Sequence, residues 1–310
     1  MRAPHASLLR LGSLRMANRH YGKIGDVWKH LVLAELLHSE APAEYWESHA
    51  GAADYALTHS VARNYGAYYF FRHARRSERL RRTPYYKLLY TLACGTHELP
   101  VYPGSPFIAM LLLKESAGRF LFCDVDRDSL SKIRQRADQL GLAARVETEH
   151  CDGVTMLGRK ISGLPEADAA RVFAHLDPYL PFAADEEGRS TADLFRELTA
   201  KGARAMLWYG FGSEDDHAHL MKGFGVAAGA QRMHATRGAI WRGEIVLAAM
   251  HNPDFDINPG VMGCGVLCGN RNDGAIAACA ELGEELARTY ADAKFPDGSS
   301  GALEFRQQRF

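Results

Sequence analysis

The sequence carries no excess of either charge. Its 37 lysines and arginines balance 37 aspartates and glutamates, for a formal net charge of zero. That balance argues against a protein that binds nucleic acid over its whole surface, although a local basic face can sit inside a neutral total. Metal-ligand spacing is also missing. The cysteines are Cys94, Cys123, Cys151, Cys264, Cys268 and Cys279, and none forms Cys-x-x-Cys. Cys264 and Cys268 lie near no matching Cys or His pair, so no metal is expected and reduced cytosolic thiols are the better reading. No apolar run is long enough to span a membrane, which removes a membrane partner from the expectations. Ser7-Leu8-Leu9-Arg10-Leu11 is too short and too interrupted by arginine for a secretory signal, so a cytoplasmic location is expected. Met16 is an alternative start. Residues 1–15 are expected to form a poorly ordered extension, and residues 16–310 one domain. A full G-x-G-x-x-G fingerprint is absent as well.

What is present is organised around Glu44 to Tyr55. Tyr45 to Ser48 reads as a short strand, and His49-Ala50-Gly51-Ala52-Ala53 as a turn of small residues. Such a turn lets a ligand approach the backbone, because few Cβ atoms stand in the way. It can equally be a buried structural turn. Before it, Gly25 to about Ser39 predicts a helix with Asp26 as N-cap. Lys29 and His30 fall in its first turns, either as site residues or as a solvated Lys and a surface His. Residues 56–99 change character. Arginines (72, 75, 76, 79, 81 and 82) and Lys87 interleave with Tyr65, Tyr68, Tyr69, Phe70, Phe71, Tyr85, Tyr86 and Tyr90, with little strand alternation. This predicts a helical insertion after the first strand. Its basic and aromatic content suits nucleic-acid stacking and phosphate contact, or else a lid with a solvated basic face. Tyr102-Pro103-Gly104-Ser105-Pro106 predicts a rigid turn into a buried helix, with Ser105 as cap.

Strands then alternate with helices. Phe120 to Asp124, Arg145 to Gly153, Val172 to Asp177, Ala205 to Gly210, Ala239 to Met250 and Val261 to Cys268 read as strands. The fold class is therefore α/β, with a mainly parallel sheet. In such sheets ligands bind outside the carboxyl ends of the strands. Those ends carry His49 and Gly51, Asp124, Asp152 and Asp177. An acid after the second strand can accept both hydroxyls of a ribose, one after the third can meet an adenine edge, and one followed by proline can face the reacting group. Any of them alone is equally well a helix cap. Asp177-Pro178-Tyr179 favours a methyltransferase over a nicotinamide enzyme. A carboxylate and the carbonyl of the following proline can take the two N–H bonds of an amino group, and an aromatic beside them can stack on the ring that bears it.

These features together resemble the RlmJ family of ribosomal RNA methyltransferases, which methylate the N6 of an adenine in 23S rRNA. The resemblance is carried by Gly25-Asp26-Val27-Trp28-Lys29-His30, Ser48-His49-Ala50-Gly51-Ala52, Tyr102-Pro103-Gly104-Ser105-Pro106-Phe107-Ile108-Ala109, Asp152-Gly153, Leu176-Asp177-Pro178 and Leu207-Trp208-Tyr209. These lie in the family's order and span about His20 to Tyr290. The resemblance implies a Rossmann-like class I methyltransferase with a helical subdomain after the first strand. It implies S-adenosylmethionine (SAM) as cofactor, with contacts at His30, His49, Gly51, Ser105, Asp124, Asp152 and Gly153. It implies Asp177 as the catalytic acid, with Lys29 close by, and the Pro178 carbonyl and the Tyr179 ring complete the candidate catalytic centre from the reading of Asp177-Pro178-Tyr179 above. The sequence departs from the pattern at Asp177-Pro178-Tyr179-Leu180, where the family has Asp-Pro-Pro-Tyr, and Phe182 competes with Tyr179 as the stacking ring. Glu47 stands where the family has Asp. Ala52-Ala53 replaces Ala-Gly, and Gly269-Asn270-Arg271 replaces Asn-Pro-Pro-Trp. Three readings stay open: methylation of an RNA adenine, action on a small-molecule amine, and a SAM or RNA binder without catalysis.

Overall fold

The computed structural model describes residues 20–96, 98–225, 239–251 and 260–310. The expectation for residues 1–15 lies outside them. The strands are β1 (Glu44–Glu47), β2 (Asp54–Ala56), β3 (Val101–Pro103), β4 (Arg119–Asp124), β5 (Val146–His150), β6 (Val172–Leu176), β7 (Arg204–Phe211), β8 (Ile240–Leu247), β9 (Gly263–Gly269) and β10 (Leu303–Arg309). The α-helices are α1 (Ile24–Glu40), α2 (Val61–Arg63), α3 (Tyr69–Ala74), α4 (Glu78–Arg81), α5 (Pro84–Leu92), α6 (Ser105–Leu112), α7 (Arg127–Leu140), α8 (Gly153–Gly163), α9 (Glu166–Ala169), α10 (Thr191–Ala200), α11 (Glu214–Phe224) and α12 (Asp273–Thr289).

Eight strands form one sheet in the order β10-β8-β9-β7-β6-β1-β4-β5. β5, β4, β1, β6 and β7 are mutually parallel, while β9 runs against both β7 and β8, and β10 against β8. The chain winds outward from β1 in both directions, so the strand order reverses between β1 and β6. That reversal is where an open sheet leaves a crevice for a ligand. β6 is Val-Phe-Ala-His-Leu and buried at every position, as expected for a parallel strand covered on both faces.

Side chains alternate along β1 into two cores. Tyr45 joins the core beneath α1, α12 and the helices between β2 and β3; Trp46 joins the core beneath α8, α10 and α11. β2 and β3 pair antiparallel and form the neck from which residues 57–100 leave and return. At the other edge lies β10, which follows the Gly- and Ser-rich stretch Gly298 to Gly301. Its register on β8 is fixed by Leu303, which is buried, and by Phe305, which packs edge-on against Trp28 and over Gly283. Two apolar residues among seven are too few to announce a strand by alternation.

Two predicted caps move by a few residues. α1 begins at Ile24, so Asp26 is its third residue rather than its cap, and its carboxylate accepts from the Lys23 amide at 3.2 Å. α6 is capped by Gly104, with Ser105 as its first residue and Pro106 as its second. The reason is tight packing. A Cβ at 104 would lie 2.1 Å from the Ala52 carbonyl oxygen, so the serine cannot occupy the cap and falls inside the helix.

Candidate active site

The turn after β1 sits at the middle of the crevice. Gly51 has φ +62°, in the left-handed region that favours glycine. Its amide donates to Asp124 Oδ2 at 2.7 Å, and Asp124 Oδ1 accepts from the Asp126 amide at 2.8 Å. Asp124 is therefore not a helix cap; Asp126 caps α7. Asp152, by contrast, does cap α8, with one oxygen accepting from Val154 and Thr155. Its neighbour Gly153 is pressed against the turn, where a Cβ would lie 1.9 Å from the Ser48 carbonyl oxygen. Gly104 presses from the other side. The turn thus lies between two glycine contacts that hold it close to the sheet.

His49 is half-buried and pairs with the Ser48 hydroxyl at 2.7 Å. Burial pushes its pKa down, while Asp177, Asp124 and Asp152 push it up. One imidazole thus feels all three strand-end acids. Their convergence is a feature of the fold and not only of the sequence order.

Asp177 follows the last residue of β6. Lys29 on α1 reaches it at 2.5 Å and reaches Asp26 at 3.1 Å. The Lys29 amine also lies 5.5 Å from the centre of the Trp208 indole. Lys29 is only 6% exposed, so the solvated-lysine alternative does not hold. Burial alone would lower its pKa, but the two carboxylates raise it well above the usual value. Burial alone would raise the Asp177 pKa, yet Lys29 above all holds it below the ordinary carboxylate value. The Asp26 pKa is raised, because burial and the charge of Asp177 outweigh Lys29. Asp177 is therefore ionised throughout the neutral range and has an oxygen free of the lysine.

Beneath this pair lies a buried network that sequence reasoning missed. Glu47 is fully buried at the end of β1. It accepts from Ser105 Oγ at 2.5 Å and from Tyr45 OH at 3.0 Å, and pairs with His175 Nδ1 at 2.8 Å. Register explains the last contact, since Glu47 and His175 are direct neighbours on β1 and β6. His175 lies two residues before Asp177, on the same face of the strand. The available signal was an acid closing the Tyr45-Trp46 pair of β1 and a histidine inside the otherwise apolar β6. The Ser105 hydroxyl is committed to this network. His30 is buried as well, with its ring stacked on Tyr102 and Nδ1 3.1 Å from the Tyr102 hydroxyl, and burial pushes its pKa well down. Ser105 and His30 are thus held by buried partners, whereas Gly51 binds Asp124, Lys29 binds Asp177, and His49 feels the charge of both acids.

The two candidate stacking rings have different surroundings. Phe182 packs on Phe224 at 4.8 Å and against Gly223. Tyr179 is 78% exposed beside Pro178 and has no ring partner among the described residues. Phe182 is occupied by packing, and Tyr179 is available. Among the described residues no group of His, Cys, Asp or Glu could hold a metal ion, and no helix is long and apolar enough to cross a membrane.

The five parallel strands, the antiparallel β9 beside β7, and the acids at the strand ends define a Rossmann-like α/β fold. The chain is similar in structure to protein LPL1258 from Legionella pneumophila str. Philadelphia 1, described by the family model DUF519. The TM-score is 0.70 at 20% identity, over 93% of this chain and 98% of that one. At that identity the likeness shows the fold alone. Weaker likenesses include an rRNA methylase from Streptococcus thermophilus, at TM-score 0.39 and 15% identity over 78% of this chain and 94% of that one. Another is the N-methyltransferase NodS from Bradyrhizobium japonicum, at 0.35 and 10% over 79% and 95%. Neither carries an argument about this chain. No family model matches the sequence, and no curated protein matches it.

Proposed function

We propose that this protein is a SAM-dependent N-methyltransferase whose acceptor is an amino group on a ring, with adenine N6 in 23S rRNA as the acceptor that the family resemblance favours. The observation that carries the reading is Asp177. It is an ionised carboxylate beside a proline, at the end of a buried strand, where the sheet order reverses.

The residues at the strand ends suit the cofactor. The turn at Gly51 is built of small residues, and Asp124 is already oriented by the Gly51 amide for a pair of ribose hydroxyls. Asp152 and Gly153 suit the adenine side, and His49 lies between the acids. When bound, SAM supplies an electrophilic methyl group on a sulfonium. The chain supplies the rest. An exocyclic amine on an aromatic ring is a poor nucleophile, because its lone pair is delocalised. Hydrogen bonds from that amine to Asp177 and to the Pro178 carbonyl favour the tetrahedral geometry that frees the lone pair. Lys29 fixes one Asp177 oxygen and leaves the other for the amine. Tyr179 is free to stack on the acceptor ring. Positive charge develops on the nitrogen next to an ionised Asp177, so stabilisation grows toward the transition state.

A small-molecule amine is the second reading, favoured by the exposed Tyr179-Leu180 pair where the family has Pro-Tyr. Calorimetry tests the cofactor assignment. The wild type is expected to bind SAM, and Asp124→Ala to lose the ribose bonds, worth about 1.5–3 kcal/mol each for hydrogen bonds to a charged group. No binding by the wild type, or equal binding by the variant, would overturn it.

A further inference from the structure

A groove of about 1030 Å³ opens on the helices between β2 and β3. It is distinct from the crevice at the strand ends. Its cationic lining is Arg72, Arg75, Arg76, Arg81 and Lys87, and among the described residues no acid lines it. Nearby arginines outside the groove are neutralised: Arg79 pairs with Glu281 and Arg82 with Glu78. Arg72, Arg76, Arg81 and Lys87 form no ion pair among the described residues. Uncompensated cations repel one another, so a protein of zero net charge that gathers them in one concavity has room for an anion there. The field is felt locally. Burial lowers the His73 pKa, and Arg76, Arg72 and Arg75 lower it further.

Aromatic rings line the same groove. Phe71 and Tyr86 lie 5.8 Å apart and 28° from parallel; Tyr86 and Tyr90 lie 6.5 Å apart and 22° from parallel. Phe71 and Tyr86 are buried as the floor, while Tyr90 is 53% exposed at the rim. Cations beside a flat exposed ring fit a chain with regularly spaced phosphates and unstacked bases. A duplex hides its base faces and would leave Tyr90 without a partner. Helix α5 also couples the groove to the reaction side. It turns Tyr86 and Tyr90 to the groove and Tyr85 inward, where the Tyr85 hydroxyl meets Tyr102 at 2.8 Å and its ring packs edge-on against His30, next to Lys29.

We infer that this groove holds single-stranded RNA flanking the acceptor base, gripping phosphates with its arginines and stacking a base on Tyr90. The inference rests on the methyltransferase reading only in taking the acceptor base to belong to a polynucleotide. Fluorescence anisotropy with a labelled oligouridylate tests it. Uracil has no exocyclic amine, so binding without SAM reports the groove and not the amine site. The expected result is binding whose logarithm falls with log salt at a slope of about −3, from four or five neutralised phosphates. Arg72→Glu with Arg76→Glu should weaken it at least tenfold and flatten the slope. Tyr90→Ala should weaken it roughly fivefold with the slope kept. All three residues are exposed, so the variants should fold. No oligouridylate binding at low salt would overturn the inference, and so would wild-type binding by the charge-reversed variant or equal binding of a duplex. Methyl transfer to an RNA by that variant at wild-type KM would overturn the groove and leave the methyltransferase reading standing.

Discussion

Replacing Lys29 by methionine removes a cation held between two carboxylates without opening a cavity, since the two side chains are close in length. In the wild type the amine sits 2.5 Å from Asp177 and 3.1 Å from Asp26, at 6% exposure. Removing one partner of a buried pair costs about 3–5 kcal/mol, because the other charge stays buried without compensation. Asp177 keeps 19% of its side-chain surface, so the lower end, about 3 kcal/mol, is the expected loss at neutral pH. For a chain of this size that corresponds to a fall in Tm of roughly 5–10 °C. The pH dependence follows from the signs. In the wild type the Asp177 pKa is depressed, so its contribution is present above the unfolded value of about 3.9 and is lost as pH falls through the lower folded value. In Lys29→Met the main group opposing burial is gone, only the weaker effects of His175 and His49 remain, and the Asp177 pKa rises. A raised carboxylate is most favourable below about pH 3.9 and becomes a penalty as pH rises through its folded pKa. The deficit of the variant should therefore be largest at pH 7 and shrink toward pH 4. Thermal unfolding of both proteins across that range measures it. An unchanged Tm at pH 7, or a deficit that widens in acid, would refute the argument.

Gly153→Ala should lower both stability and SAM affinity, because its Cβ would displace the Ser48 carbonyl from 1.9 Å and shift the turn; paired calorimetric titration and thermal melts check this. Phe182→Ala should destabilise by about 1–3 kcal/mol, less than a fully buried phenylalanine, since its ring is half-buried against Phe224. Tyr179→Ala should leave the melt unchanged but raise the KM for the acceptor; equal stability loss in both variants would remove Tyr179 from the stacking role.

The centre of the sheet was legible because β4 and β6 are short apolar runs that end in acids, as Val172 to Asp177 does. Asp177, Asp124 and the small turn at Gly51 could be placed together from the rule that ligands lie at carboxyl ends. Side-chain partners were not legible. Nothing in the sequence distance between Lys29 and Asp177 says that α1 packs over β7 and β9 and brings Lys29 to the end of β6, or that Asp26 and Trp208 complete that contact. The Glu47–His175 pair depends on the register of β1 on β6, which a linear pattern does not encode. The strand-end acids look alike in sequence, yet Asp152 caps a helix while Asp124 accepts from Gly51. That difference comes from where the following helix begins. β10 escaped notice because its register is set by Phe305 docking on Trp28, a contact between the two ends of the chain.

The most direct test is transfer of a labelled methyl group from SAM, with the wild type and Asp177→Asn each supplied with whole RNA or with the small-metabolite fraction of a cell extract. The asparagine keeps the shape of the side chain and removes its charge. The account predicts label on an amino nitrogen of RNA adenine with the wild type, and a rate roughly a hundredfold to a thousandfold lower with Asp177→Asn, at nearly unchanged SAM affinity. Label in neither fraction, or full turnover by Asp177→Asn, would contradict it.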